Sequence, residues 1–179
     1  MPETSRTISA SLAFADRIDR LTAAIGRTVA WACLLVVSVQ FTVVVMRYAL
    51  GLGSIWLTET IIYGHAALFM LASAWTLREG GHVRVDVFYA DAGPRRRALV
   101  DLCGALLLLL PFMLVLLWFA ASYVARSWAI LETSRETSGL PAVYLLKTLI
   151  PAFAVLMALQ GVAQAIRAAH VLSTQRAAS

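Results

Sequence analysis

Charge is what this chain has least of. Only 14% of its 179 residues are Asp, Glu, Lys or Arg, while 60% are hydrophobic and the mean hydropathy is +0.78. Soluble domains average about 25% charged residues, so the deficit excludes an ordinary soluble fold and points to a membrane protein. Cysteine is scarce as well. Cys33 and Cys103 both fall in apolar runs, with no Cys-x-x-Cys and no pair in a polar loop, which removes a disulfide framework and dithiol redox chemistry. No zinc cluster or serine–histidine–acid set is visible. Gly80-Gly81-His82 is no phosphate loop, since it lacks the spaced glycines and the Lys-Ser/Thr ending. Nothing alternates over ten-residue segments as a membrane barrel requires. A cleavable signal peptide is not expected either. The first apolar run starts only at Thr28, is long, and reads as a retained span.

What is present is four charge-free windows. They run from Thr28 to Met46 (19 residues), Thr60 to Leu77 (18), Leu102 to Ala125 (24) and Thr148 to Ile166 (19). At 1.5 Å per residue, a hydrocarbon core of about 30 Å needs about 20 helical residues. Each window is therefore long enough to span with a little help from its flanks. The sequence predicts an all-α, polytopic single membrane domain over 1–179. Its spans are expected at 28–48, 55–77, 98–125 and 143–167.

Lys and Arg set the orientation. The N-terminal segment, the middle loop and the C-terminal tail together hold eleven; the other side holds Arg47, Arg126, Arg135 and Lys147. The rule predicts both termini and the middle loop in the cytoplasm. The net charge of +5 is then a topology signal. It does not point to nucleic acid, because the charges sit at helix ends rather than on one folded face.

Before the first span, Phe14, Ile18, Leu21 and Ile25 recur with helical spacing over 11–27, and Asp16, Arg17, Asp19, Arg20 and Arg27 lie largely off that face. This predicts an amphipathic helix in the cytoplasmic interface; the alternative is a plain extension of the first span into water. Tyr48 and Trp56 suit the outer boundary as anchors. Arg47 and Glu59 lie at the two sides of the first outer turn, close enough in sequence to pair across the hairpin. Gly80-Gly81 is a natural helix terminus. Beyond it, Val83, Val85 and Val87 alternate with polar residues, a pattern compatible with an extended stretch or an interfacial helix. Gly93-Pro94 marks a turn and Arg95-Arg96-Arg97 an anchor. Pro111 and Pro151 are expected to loosen the ladders of the last two spans. The segment from Arg126 to Pro141 is the one sizeable polar surface on the outside, either a contact for an external partner or a solvated connector.

Inside the spans, ionisable groups are nearly missing. His65 is the main exception, and a lone histidine is expected to be a hydrogen-bonded packing residue. A haem bundle would need a second axial ligand, and no other span holds a histidine. Gln40, Gln160 and Gln164 read as assembly glue between helices. No inverted repeat of the kind that builds many transporters is visible. A small polytopic chain without machinery of its own is most simply an accessory subunit, with no catalytic, cofactor-binding or metal site.

Several motifs resemble the small permease subunit of tripartite ATP-independent periplasmic transporters, the DctQ-like family. Arg47-Tyr48 is similar to that family's Arg-Tyr, and Trp56 with Glu59 to its Trp-x-Glu-Glu. The run Leu77-Arg78-Glu79-Gly80-Gly81-His82-Val83-Arg84-Val85-Asp86 resembles its loop signature. Gly139-Leu140-Pro141, Lys147 and Ile150-Pro151 resemble its approach to the last helix. Thr58 departs from the pattern, standing where the first Glu of the acidic pair is usual. The runs around Val83–Tyr89 and Gly139–Pro141 look most like the branch linked to keto acids, mannitol and chloroaromatic acids.

The resemblance implies a scaffold subunit of a sodium-coupled, binding-protein-dependent symporter in the bacterial inner membrane. It implies uptake of organic anions such as carboxylic or keto acids. The partners it implies are a large membrane subunit, which would hold the sodium, and a periplasmic binding protein that this chain would help to dock. Two rival readings remain: an independent small oligomeric transporter, and a membrane electron-transfer subunit.

Overall fold

The computed structural model describes residues 2–82 and 92–177, with side chains over 9–82 and 92–175. Among them every regular element is helical. The order is α1 (Pro2–Ala30), α2 (Ala32–Leu50), α3 (Ile55–Arg78), α4 (Pro94–Cys103), a π-helical turn (Gly104–Leu109), α5 (Leu110–Ala129) and α6 (Val143–Ala177). Four stretches are long and apolar enough to cross a membrane: Ser9–Leu50, Ile55–Arg78, Pro94–Ala129 and Val143–Gln175. The expected all-α, four-span architecture is therefore present.

The helix ends follow local chemistry. The Ser54 hydroxyl caps α3 by accepting the Leu57 N–H at 3.4 Å. At the other end, Gly80 takes φ +69°, which costs a glycine nothing. Gly81 N–H then reaches the Thr76 carbonyl at 2.9 Å and Gly80 N–H the Leu77 carbonyl at 3.1 Å. Pro94 opens α4 at the position where a missing N–H is harmless. Pro111 lacks the N–H that an α-helix would use, and the chain widens into the π turn just before it, with Leu110 N–H bonding the Ala105 carbonyl. Pro151 lies within α6, which runs on either side of it as one helix. Of the two prolines, Pro111 alone marks a change of helix type.

α6 is the hub of the bundle, packed by α1, α3, α4 and α5, whereas α2 leans mainly on α3. The main core joins Ala74, Met113, Ala154, Leu156 and Met157. A smaller one joins Ala15 and Ile18 of α1 to Ala163 of α6. Here the structure refines the reading of 11–27. Ile18 is buried, but Phe14 and Leu21 are 49% and 47% exposed, and the inward line is Ala15, Ile18, Thr22 and Ala23. Small side chains let helix backbones approach, and large ones project outward. The closest approach is at Gly26, where a Cβ would lie 2.6 Å from the Cβ of Trp75. The segment is thus a packed member of the bundle, joined to α2 through a single turn at Trp31, whose N–H bonds the Thr28 carbonyl at 3.3 Å.

Candidate functional site

Two clusters of hydrogen-bonded polar side chains lie towards opposite ends of the bundle. At the end that holds the α2–α3 and α5–α6 loops, Glu59 in the second turn of α3 faces the loop between α5 and α6. One carboxylate oxygen accepts the Ser134 hydroxyl, and the other accepts the Leu140 N–H at 2.5 Å. The loop closes on itself through Ser134 N–H to the Leu140 carbonyl at 3.2 Å and Gly139 N–H to the Glu136 carbonyl at 3.0 Å. Gly139 is required here, since a Cβ would come within 2.7 Å of Glu59 Oε1.

A second tie joins the same loop to α5 and α6. Lys147 Nζ donates to Glu132 Oε2 at 2.5 Å, Ser127 Oγ donates to the same oxygen at 2.7 Å, and Lys147 lies 4.2 Å from the centre of the Tyr123 ring. The Lys147 ammonium, helped by the Ser127 hydroxyl, holds the Glu132 carboxyl below its ordinary value. Beside it, Trp128 Nε1 donates to Thr148 Oγ1 at 2.8 Å, and its ring meets Tyr144 edge-on at 4.7 Å between centroids. Three of the four spans are therefore clamped through this one loop.

At the other end the centre is Asp19. Gln160 Nε2 donates to Asp19 Oδ1 at 2.9 Å. Asp19 Oδ2 takes Arg167 Nη2 at 2.8 Å and lies 3.5 Å from Arg78 Nε. Thr22 Oγ1 donates to Gln160 Oε1 at 2.9 Å, and Arg167 also meets Asp16 at 2.7 Å. One carboxylate thus joins α1, α3 and α6. A groove of about 940 Å³ opens beside it between α1, α3, α4 and α6. Among the described residues its lining pairs Arg78, Arg97 and Arg167 with Asp19, Glu79 and Asp101. Among the described residues, no three His, Cys, Asp or Glu side chains are grouped to hold a metal.

The residues singled out in the sequence divide between these places. Glu59, Lys147 and Arg78 are members of the two clusters. Gly80 terminates α3, Pro141 is exposed just before the start of α6, and Pro151 is half-buried within it. Arg47, Tyr48 and Trp56 are exposed beside the α2–α3 turn, and Glu59 is engaged by the α5–α6 loop instead of pairing with Arg47. His82 is exposed and Asp86 lies outside the described residues. Thr58, at the position of the missing acid, is exposed and its hydroxyl returns to the Ser54 carbonyl at 3.0 Å. His65 is not packed inside this chain: it is exposed on α3, its ring 5.5 Å from that of Phe69. Asp19, Thr22, Glu132 and Ser134 were not foreseen as members of a site. The one hint was a set of polar residues, Gln160 above all, at helix positions that otherwise favour apolar ones.

The family model described as "Tripartite ATP-independent periplasmic transporters, DctQ component" matches residues 35–170. Neither a curated protein nor a solved structure matches the chain.

Proposed function

The chain belongs to the DctQ component family of tripartite ATP-independent periplasmic transporters, and from that premise we propose that it acts as a scaffold for the large transport subunit. Membership makes it the small multi-pass subunit of an inner-membrane transporter. In the proposed division of labour, the large subunit binds sodium and moves the solute. A periplasmic protein captures that solute, an organic anion such as a carboxylic or keto acid. The present chain braces the large subunit and presents its outer loop to the periplasmic protein. Both termini face the cytoplasm, as the distribution of Lys and Arg favours.

One observation carries this reading. Glu59, Glu132, Asp19 and Gln160 each have their polar atoms engaged by another element of the same chain. These groups hold helices together, which is what a scaffold requires. The clamped outer loop supports the docking role, because a rigid polar surface costs less entropy on association than a loose one.

Reconstitution tests the assignment. Vesicles holding the small chain, the large subunit and the periplasmic protein should take up the organic anion with a sodium gradient, and vesicles lacking the large subunit should not. Uptake by the small chain alone would establish the rival reading of an independent transporter.

A further inference from the structure

Two polar side chains sit near mid-membrane depth with no hydrogen-bond partner among the described residues. Gln40 lies ten residues before the end of α2 at Leu50, and His65 lies ten residues after the start of α3 at Ile55. At 1.5 Å per residue each is about 15 Å below the outer boundary, near the middle of a core about 30 Å thick. Both are exposed. Among the described residues neither makes a hydrogen bond, in contrast to Thr42 and Thr60, whose hydroxyls return to carbonyls of their own helices.

The two also share a side of the α2–α3 hairpin. The half-buried residues of α2 are Ala32, Val36, Val39, Val43 and Met46, and the seam is placed by Gly64 of α3 lying against Val36. Residues advance by about 100° each, clockwise along α3 and anticlockwise along α2 when both are viewed from outside. Gln40 is displaced anticlockwise from the α2 seam and His65 clockwise from the α3 seam, so both project to the same side. On α3, Thr58, Ile62 and Phe69 are exposed in line with His65.

The far surface of the bundle is different. Leu107, Leu108, Phe112, Val115 and Phe119 expose only hydrocarbon and aromatic rings, which lipid covers without loss. An imidazole and a primary amide at mid-depth have no such solvent, and polar groups there almost always face protein. α2 strengthens the point, since the chain alone buries none of its residues. We propose that the Gln40–His65 side of the α2–α3 hairpin is the surface that receives the large membrane subunit. That subunit would supply a hydrogen-bonding side chain at mid-depth to His65. This rests on the scaffold assignment above and adds to it the face and the anchoring residues.

The test uses the complex co-expressed and purified in mild detergent. A photo-reactive benzoylphenylalanine at position 62 or 69 should form an adduct with the large subunit, and one at 108 or 112 should not. An adduct from 108 or 112 only, an adduct with a second copy of this chain from 62 or 69, or no protein adduct from 62 and 69 would each overturn the proposal. In parallel, His65→Leu should lower the recovery of large subunit roughly fivefold, the scale of one interhelical hydrogen bond in a membrane. The melting temperature of the small chain alone should not fall, and His65→Gln should restore part of the recovery. Unchanged recovery with His65→Leu would overturn the role of His65. If no large subunit accompanies the natural chain, the scaffold assignment itself fails. If it does and the adducts lie elsewhere, only the choice of face fails.

Discussion

The Glu59 carboxylate on α3 accepts the backbone N–H of Leu140 at 2.5 Å, tying together residues 81 positions apart. Its second oxygen holds the Ser134 hydroxyl of the same loop. A carboxylate is suited to this place because it offers acceptors only.

Glu59→Gln should therefore loosen the outer loop. The amide can keep its oxygen on the Leu140 N–H and turn its NH2 to the Ser134 hydroxyl, but the charge assistance to both bonds is lost. The expected cost is about 1–3 kcal/mol, read as a lower melting temperature in detergent and faster proteolysis between residues 130 and 142. Thr58→Glu should restore nothing, since that position is exposed. A gain in stability from it would contradict the structure.

The Glu132–Lys147 tie predicts an acid limit. The folded carboxyl titrates below its ordinary value of 4.5. Its contribution is then complete above that value and is lost as the pH falls through the lowered folded value. Melting temperature should drop as pH falls below about 4.5, and Glu132→Gln should remove that part of the dependence. An identical acid profile for the variant would refute the assignment.

Gly26 should tolerate no side chain. A methyl group there meets the Cβ and ring of Trp75 at 2.6–2.8 Å, so Gly26→Ala forces α1 away from α3. Overpacking of this kind costs about 1–3 kcal/mol. Differential scanning fluorimetry should show the loss, and a smaller side chain at position 75 in the double variant should recover part of it.

Gln160→Leu should cost about 1–3 kcal/mol by removing one buried and one part-buried hydrogen bond at once. It strips Asp19 Oδ1 of its donor, while Thr22 can fall back on the Ile18 carbonyl at 3.2 Å. Denaturant unfolding in detergent checks the size. A double-mutant cycle with Thr22→Val should show less than additive loss, because the two residues share one bond.

Particular elements show what could be read in advance. The Gly80-Gly81 terminus and the turn at Gly93-Pro94 are legible because each depends on a few adjacent residues, while the helix starts at Pro94, four residues before the expected span. The loosening at Pro111 was expected, but its form as a π turn, and the unbroken helix through Pro151, depend on how neighbouring helices satisfy the freed carbonyls. The pattern of Phe14, Ile18, Leu21 and Ile25 named a helix correctly and its inner face only in part. Periodicity identifies a stripe, while which edge of the stripe turns inward is set by the fit of small residues against α3 and α6. A lone histidine in an apolar span reads as a packing residue, and its outward direction on this chain follows from the rotation of α3 against its neighbours.

By itself, the sequence determined four spans and no catalytic motif. The spans follow from hydrophobicity summed over about 20 consecutive residues, a local quantity that the bilayer reads directly. The loop signature and its flanking motifs added the family. Only the tertiary structure decided that Glu59 meets Leu140, that Asp19 joins Arg78, Gln160 and Arg167, and that Gln40 and His65 face away from the bundle. Those relationships join residues far apart in the chain, through side-chain volumes and helix rotations that no local pattern encodes.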